Sequence, residues 1–289
     1  MKRHLPILLM LSLSATAYAQ TVDADAPVRI ESYTPDDTRS YDADLYQTHD
    51  AELLQRACQG DAESQLLVAK SLDFKATDPM AKAEAVRWYT MAAEKGNSEA
   101  QYYLSMHYFR GDGVQRSRLR AVDWCIKSAE QGYAPAQYSL GVCYAHGMGI
   151  EKSIEDATKW WRKAADQGNA DAQCDLGVYY QKEAEEANAE EEAVKWYRMA
   201  ADQGNARGQE LLGKCYYDGT GVKKSYTEAV KWYRLSAVQG NSHAQNNLGV
   251  CYQQGHGVEQ SDAEAQKWFQ LAARQGHDLA KTNREAIRH

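Results

Sequence analysis

The apolar positions between Ala134 and Asn169 fall into two helical stripes separated by a glycine corner. In the first stripe Ala134, Ala136, Leu140 and Tyr144 return at helical spacing, with small residues among large ones. Pro135 occupies the first turn, where its missing N–H leaves nothing unpaired. Gly147-Met148-Gly149-Ile150 then breaks the helix, with Ile150 placed to pin the corner. The second stripe puts Ala157, Trp160, Ala164 and Ala165 on one face and turns Lys159, Arg162, Lys163 and Asp166 to water. Gly168 supplies a left-handed stop at its end. The pattern predicts a pair of helices.

The pair recurs along the chain. Gly60, Gly96, Gly132, Gly168, Gly204, Gly240 and Gly276 fall every 36 residues, and Trp88, Trp124, Trp160, Trp196, Trp232 and Trp268 keep the same spacing. A fixed period of this size marks a stacked repeat array. Neither helix buries its stripe alone, so neighbouring pairs must stack into a continuous core. The sequence therefore predicts an all-α solenoid of stacked helix pairs with a 36-residue period. Each Trp offers roughly 150–250 Å² for burial, which assigns the Trp column to the core. Gly141, Gly177, Gly213 and Gly249 lie inside first helices, at a cost of roughly 0.5–1 kcal/mol each relative to Ala, and imply close approach by the partner helix.

The ends depart from the pattern as capping repeats should. Asp50 to Gln59 reads as a capping helix closed by Gly60. The repeat from Asp61 puts Val68, Ala69 and Leu72 where Leu140, Gly141 and Tyr144 stand, and Thr77-Asp78-Pro79 replaces its double-glycine corner. Leu279 to Arg288 supplies half of a seventh repeat. In the fourth repeat Glu183-Ala184-Glu185 replaces Gly-x-Gly, so helix should run further and turn near Asn188. Residues 50–289 form, on this reading, a solenoid of six repeats with capping helices.

Residues 1–19 have a different character. Lys2 and Arg3, the apolar stretch from Leu5 to Leu13, and Ala17-Tyr18-Ala19 make a secretory signal peptide, too short for a membrane span. Cleavage would expose Gln20. Residues 20–49, rich in Asp, Thr, Ser and Ala with Pro27 and Pro35, read as a disordered leader whose Tyr33, Tyr41 and Tyr46 could dock on the repeats. The expectation is a periplasmic or secreted protein with no membrane insertion after signal cleavage. With 33 basic and 40 acidic residues the formal net charge is −7, and loss of Lys2 and Arg3 makes it −9. That balance argues against nucleic acid and anionic membrane surfaces as ligands.

The recurring motif LGxCY…GxGV…A…KWY…AA…QGN resembles that of the Sel-one-like repeat (SLR) family, a relative of the tetratricopeptide repeats. The resemblance covers roughly Asp61 to Asp278. It implies a right-handed superhelix serving as a protein-interaction scaffold, here in an exported, bacterial-type member.

Other chemistry lacks its parts. Of six cysteines, Cys143, Cys215 and Cys251 share one repeat position, filled elsewhere by Tyr179 and His107. Equivalent positions in neighbouring repeats stand roughly 8–10 Å apart, beyond the ~7 Å a disulfide spans. Cys125 and Cys143 lie equally far from the turn near Gly132 and form the one plausible bridge; the other cysteines read as buried, free thiols. No CxxC, HExxH or paired-His spacing occurs, and Cys143 with His146 has no companions, so no metal or cofactor is expected. A cysteine-rich secreted branch of the family, described as penicillin-binding or β-lactamase-like, carries two spaced cysteines per repeat, unlike this chain. Ser-x-x-Lys, Ser-Asp-Asn, Lys-Thr-Gly and Gly-x-Ser-x-Gly are missing too, Lys281-Thr282-Asn283 being the nearest approach. The Gly-x-Gly corners lack the Lys-Ser/Thr of a phosphate loop. A non-enzymatic adaptor is the reading; a β-lactamase-like or penicillin-binding cell-wall hydrolase is the alternative.

A partner would lie on the first-helix face opposite the core, set by i, i+4, i+7 and i+8. Successive repeats there carry Tyr102, Met106, Phe109 and Arg110; Tyr138, Val142, Ala145 and His146; Cys174, Val178, Gln181 and Lys182; Glu210, Lys214, Tyr217 and Asp218; then Asn246, Val250, Gln253 and Gln254. In tetratricopeptide-like stacks this is the concave face, which the resemblance implies here. The candidate partner-binding residues are Tyr102, Met106, Phe109, Arg110, Tyr138, Val142, His146, Lys182, Lys214 and Tyr217. Arg110, Lys182 and Lys214 are positive against an acidic background and suit an acidic or C-terminal carboxylate group on a protein or peptide.

Overall fold

The structure, a computed structural model, describes residues 51–75, 79–182 and 187–287. The signal segment, the leader, Thr77-Asp78 and Glu183-Ala184-Glu185 lie outside the described residues. Among those described, every regular element is an α-helix. The chain divides into two compact units, one ending at Lys152 and the other beginning at Ser153. The first contains α1 (Ala51–Cys58), α2 (Ala62–Lys75), α3 (Pro79–Glu94), α4 (Ser98–Arg110), α5 (Arg118–Glu130) and α6 (Ala134–His146). The second contains α7 (Ile154–Asp166), α8 (Ala170–Lys182), α9 (Ala189–Asp202), α10 (Ala206–Asp218), α11 (Tyr226–Val238), α12 (Ser242–Gln254), α13 (Asp262–Arg274) and α14 (Asp278–Ala286). Within each unit every helix packs against the next, as stacked helix pairs require.

Local chemistry sets the helix ends. Asn97, Asn205 and Asn241 cap first helices and Ser117, Ser153, Ser225 and Ser261 cap second helices, each accepting a backbone N–H that would otherwise be unpaired. At the other ends, glycines such as Gly204 (φ 84°) adopt the left-handed conformation. Gly204 donates to Ala201 O at 2.9 Å and Asn205 to Ala200 O at 3.1 Å, which closes the helix as the repeat predicted.

The buried aromatic column is not the one expected. Trp88 is buried, but Trp124, Trp160, Trp196, Trp232 and Trp268 are only half-buried. The residue after each Trp carries the core: Tyr89 and Cys125 in the first unit, and Trp161, Tyr197, Tyr233 and Phe269 in the second, all of them aromatic except Cys125. The reason is angular. Ala157, residue 161, Ala164 and Ala165 complete the i, i+4, i+7, i+8 face, and residue 160 stands at its edge. There Lys127 lies 4.0 Å from the Trp124 ring and Lys163 lies 3.9 Å from the Trp160 ring, in cation–π contact.

The interior glycines answer to that corrected column. A Cβ on Gly177 would sit 2.4 Å from the Tyr197 ring, one on Gly213 2.7 Å from Tyr233, and one on Gly249 2.6 Å from Phe269. The expected close approach is thus by an aromatic ring of the paired helix.

A buried amide ladder was not anticipated. Gln101, Gln173, Gln209 and Gln245 are buried at the 36-residue spacing. Gln101 Nε2 donates to Ala93 O at 3.0 Å, Gln209 to Ala201 O at 3.3 Å and Gln245 to Ala237 O at 3.1 Å. Their Oε1 atoms accept from the next loop's glutamine: Gln131 to Gln101 at 2.7 Å, Gln239 to Gln209 at 2.8 Å, and Gln275 to Gln245 at 2.9 Å. Where Lys95 replaces that loop glutamine, Gln65 Oε1 is left buried without a partner.

All six cysteines are free; Cys58 is exposed and the other five are buried. Cys125 and Cys143 are unbridged, and Cys125 Sγ donates to Ala136 O at 3.4 Å. Burial pushes the Cys143 thiol up to about 11 and those of Cys125, Cys174, Cys215 and Cys251 up to about 12, so these sulfurs stay protonated and inert at neutral pH.

Candidate functional site

In the first unit, the first-helix face carries Tyr102, Met106 and Phe109 on α4 and Tyr138 and Val142 on α6, all half-buried, with Arg110 and His146 exposed. Tyr102 is not an isolated anchor. Its ring centroid lies 5.6 Å from Tyr103 and 5.5 Å from Tyr133, and Tyr103 stacks on buried Tyr89 at 5.3 Å. Phe109 packs against the core of this unit. Beneath them, buried His107 places Nδ1 2.8 Å from Asp112 O and Nε2 3.4 Å from Asp73 Oδ2, while Lys82 Nζ reaches Asp73 Oδ1 at 2.5 Å. This polar knot ties α2, α3 and α4 together at the position that cysteine fills in other repeats.

In the second unit the same face opens into a cleft of about 290 Å³ between α10 and α12. Glu210, Lys214, Tyr217 and Asp218 line it from α10, His243, Asn247 and Val250 from α12, and Tyr233 from α11. A neighbouring cleft of about 460 Å³ shares Glu210, Lys214 and His243 and adds Arg207. Lys182, on α8, is exposed. The α10 register matches the sequence pattern. Three positions assigned to this face are buried instead: Ala145, Cys174 and Asn246. Asn246 is turned inward because Asn283 of α14 donates to its Oδ1 at 3.0 Å, and Cys174 Sγ contacts Asn205 Oδ1 at 3.5 Å. His243 and Asn247 face the cleft in place of Asn246; the spacing 243, 247, 250, 254 was the available signal.

Glu210 is the unusual group here. Its Oε1 accepts one hydrogen bond, from Asn247 Nδ2 at 3.2 Å, and burial holds its carboxyl above the ordinary range. On second helices, by contrast, surface charges pair one turn apart, as in Lys195–Glu192 and Lys231–Glu228, each at 2.5 Å. Tyr217 is engaged at the other end of the cleft. Its Oη lies 3.0 Å from Gln254 Oε1 and 2.9 Å from His256 Nδ1, and its ring lies 4.9 Å from that of Tyr226. His256 in turn stacks on Tyr226 at 4.2 Å.

A titrating cap borders the cleft. His277 stands where Asn97, Asn169, Asn205 and Asn241 stand in other repeats, and its Nδ1 accepts from Ala280 N at 3.3 Å while Nε2 lies 3.2 Å from His243 Nδ1. Only the neutral ring can accept that bond. Burial first, and then His243, lower its pKa. The folded value lies below the unfolded one, so the capping contribution is complete above the ordinary His range and is lost as pH falls through the folded value. Between about pH 7 and pH 5 the melting temperature of wild type should therefore fall relative to that of His277→Asn. Thermal melts across this range check it; identical slopes would mean the cap does not titrate.

Among the described residues no group of three His, Cys, Asp or Glu side chains gathers as a metal site. No helix among them is long and apolar enough to cross a membrane.

Comparison with known proteins places this geometry. Residues 81–97, 98–133, 134–169, 170–205, 206–241 and 242–277 each match the family model described as Sel1 repeat. The chain is similar to the crystal structure of a Sel1 repeat protein from Oxalobacter formigenes, with 30% identity and a TM-score of 0.68 over 74% of this chain and 86% of that one. It is also similar to a protective antigen of uropathogenic Escherichia coli that displays an SLR fold, with 29% identity and a TM-score of 0.65. That match covers 82% of this chain and 58% of the antigen. No curated protein matches the sequence.

Proposed function

The chain belongs to the Sel1 repeat family, and from that premise we propose that it is an exported, non-enzymatic adaptor holding a protein or peptide on its first-helix face. Sel1 repeats generally mediate protein interactions. The observation that carries the reading is the α10–α12 cleft, where among the described residues Glu210, Lys214 and Asp218 are left without ion pairs. Exposed Arg110, His146, Lys182 and Lys214 are the polar contacts, and half-buried Tyr102, Met106, Phe109, Tyr138, Val142 and Tyr217 the apolar ones. Such rigid aromatics with a polar rim suit peptide recognition. Export rests on Lys2, Arg3, the apolar stretch and Ala17-Tyr18-Ala19, and places the mature protein in the periplasm or the medium.

The test compares capture from an envelope extract by the mature chain and by Lys182→Glu with Lys214→Glu, two exposed changes that spare the packing. A partner held by wild type and lost by the variant, with unchanged melting, supports the reading. Equal capture by both contradicts it. N-terminal sequencing of the exported protein should begin at Gln20.

A further inference from the structure

We propose that the α10–α12 cleft receives a basic side chain of the bound peptide, lysine or arginine, with the Glu210 carboxylate as its counter-charge. The proposal rests on the reading of the first-helix face as a peptide-binding surface and names the chemistry of one contact there.

A carboxylate offers about four acceptor sites. Glu210 has one filled, by Asn247, and among the described residues it forms no ion pair. The cations around it are otherwise committed or solvated. Arg207 Nη1 is held by Asp175 Oδ1 at 2.7 Å, and exposed Lys214 stands beyond ion-pair distance although it is one helical turn away; His243 Nδ1 is engaged with His277. Asp218, exposed and among the described residues also without an ion pair, adds a second acid at the rim.

The walls suit a long aliphatic stem. Tyr217, Tyr233 and Val250 supply rings and a branched side chain beside the carboxylate. A volume of about 290 Å³ falls just below the range that takes drug-sized ligands and suits a single side chain.

The cleft contains both signs of charge, and the two differ in their exposure to water. Lys214 is exposed at the rim, so an acidic group of the partner meets it outside the cleft. Glu210 is the group withdrawn from water, where a new opposite charge is screened least. The same withdrawal has a stability sign. The folded-state pKa of Glu210 is raised by burial, so its contribution is fully present below the unfolded value and is lost as pH rises through the folded one. At neutral pH an ionised Glu210 opposes folding. An acid withdrawn from water inside a cleft, with acceptor sites left open, is a candidate binding position.

The test titrates the mature chain with N-acetyl-arginine amide, N-acetyl-lysine amide and N-acetyl-aspartate amide, following backbone amide shifts by NMR. The basic probes should give saturable shifts on α10 and α12, and Glu210→Gln should weaken them by about tenfold or more. That variant keeps the side-chain shape and should melt at the wild-type temperature or above it, so lost binding cannot be lost folding. Asp218→Asn should weaken the probes less. Saturation by the aspartate probe alone, equal binding of the basic probes to Glu210→Gln, or no saturable shift overturns the assignment. If the basic probes give no saturable shift on the wild-type chain while extract capture survives in Glu210→Gln, the adaptor reading stands and this contact falls.

Discussion

Tyr197→Ala should lower stability by roughly 3–5 kcal/mol, the scale for deleting a large buried ring, whereas Trp196→Ala should cost less than half as much. The two residues are adjacent and of similar size, yet only Tyr197 is closed to solvent, at 0% exposure. Its ring fills the space above Gly177 and packs with Leu212 and Cys215, and its hydroxyl donates to Gln181 Oε1 at 3.1 Å. Truncation leaves a cavity that the helix backbone cannot close, and it removes the hydroxyl's bond to half-buried Gln181. Trp196 is half-buried at the edge of the same face, so its removal opens a groove that water can fill. Denaturant unfolding of both variants measures the difference. Equal losses would contradict the aromatic column described above.

Gly257→Ala should be destabilising by roughly 2–5 kcal/mol, well beyond Gly255→Ala in the same corner. Both glycines are left-handed, with φ of 74° and 70°, and both substitutions incur that strain, about 1–2 kcal/mol. They differ in what a Cβ would meet. At Gly255 the nearest atom is Gln260 Cβ at 3.4 Å, an ordinary contact; at Gly257 it is Tyr226 O at 2.4 Å. Tyr226 opens α11, the second helix of the preceding pair, and its backbone cannot step aside without moving that helix. Gly113 against Lys82 O and Gly221 against Glu190 O repeat the arrangement at 2.4 and 2.3 Å. The second glycine of each corner is therefore a joint between successive repeats. Melting of the two alanine variants side by side checks this, and matching temperatures would refute it.

Much of the fold was legible because its determinants are local. Gly204 and Asn205 end one helix and start the next through bonds within a few residues, and the 36-residue spacing of Gly, Ala and Leu fixes the stacking. The aromatic column was misread because residues 160 and 161 differ by about 100° on a helix, and both fit an apolar stripe of alanines. Only the ring-sized gaps over Gly177, Gly213 and Gly249 separate the two possibilities. The amide ladder was missed for another reason: Gln173 and Gln209 are polar by type, and only their 36-residue recurrence signalled burial. In the candidate site, Glu210, Lys214, Tyr217 and Asp218 followed the pattern. Asn246 did not, because its partner Asn283 lies on α14, 37 residues away, beyond any helical periodicity.

The central claim is that partners sit on the first-helix face. A photo-crosslinking side chain tests it most directly, as Lys214→p-benzoylphenylalanine on α10 and, as its counterpart, Lys267→p-benzoylphenylalanine on the exposed surface of α13. Irradiation in cells or in envelope extract should yield a discrete adduct at position 214 and none at 267. Adducts at 267 alone, or equally at both positions, would contradict the account.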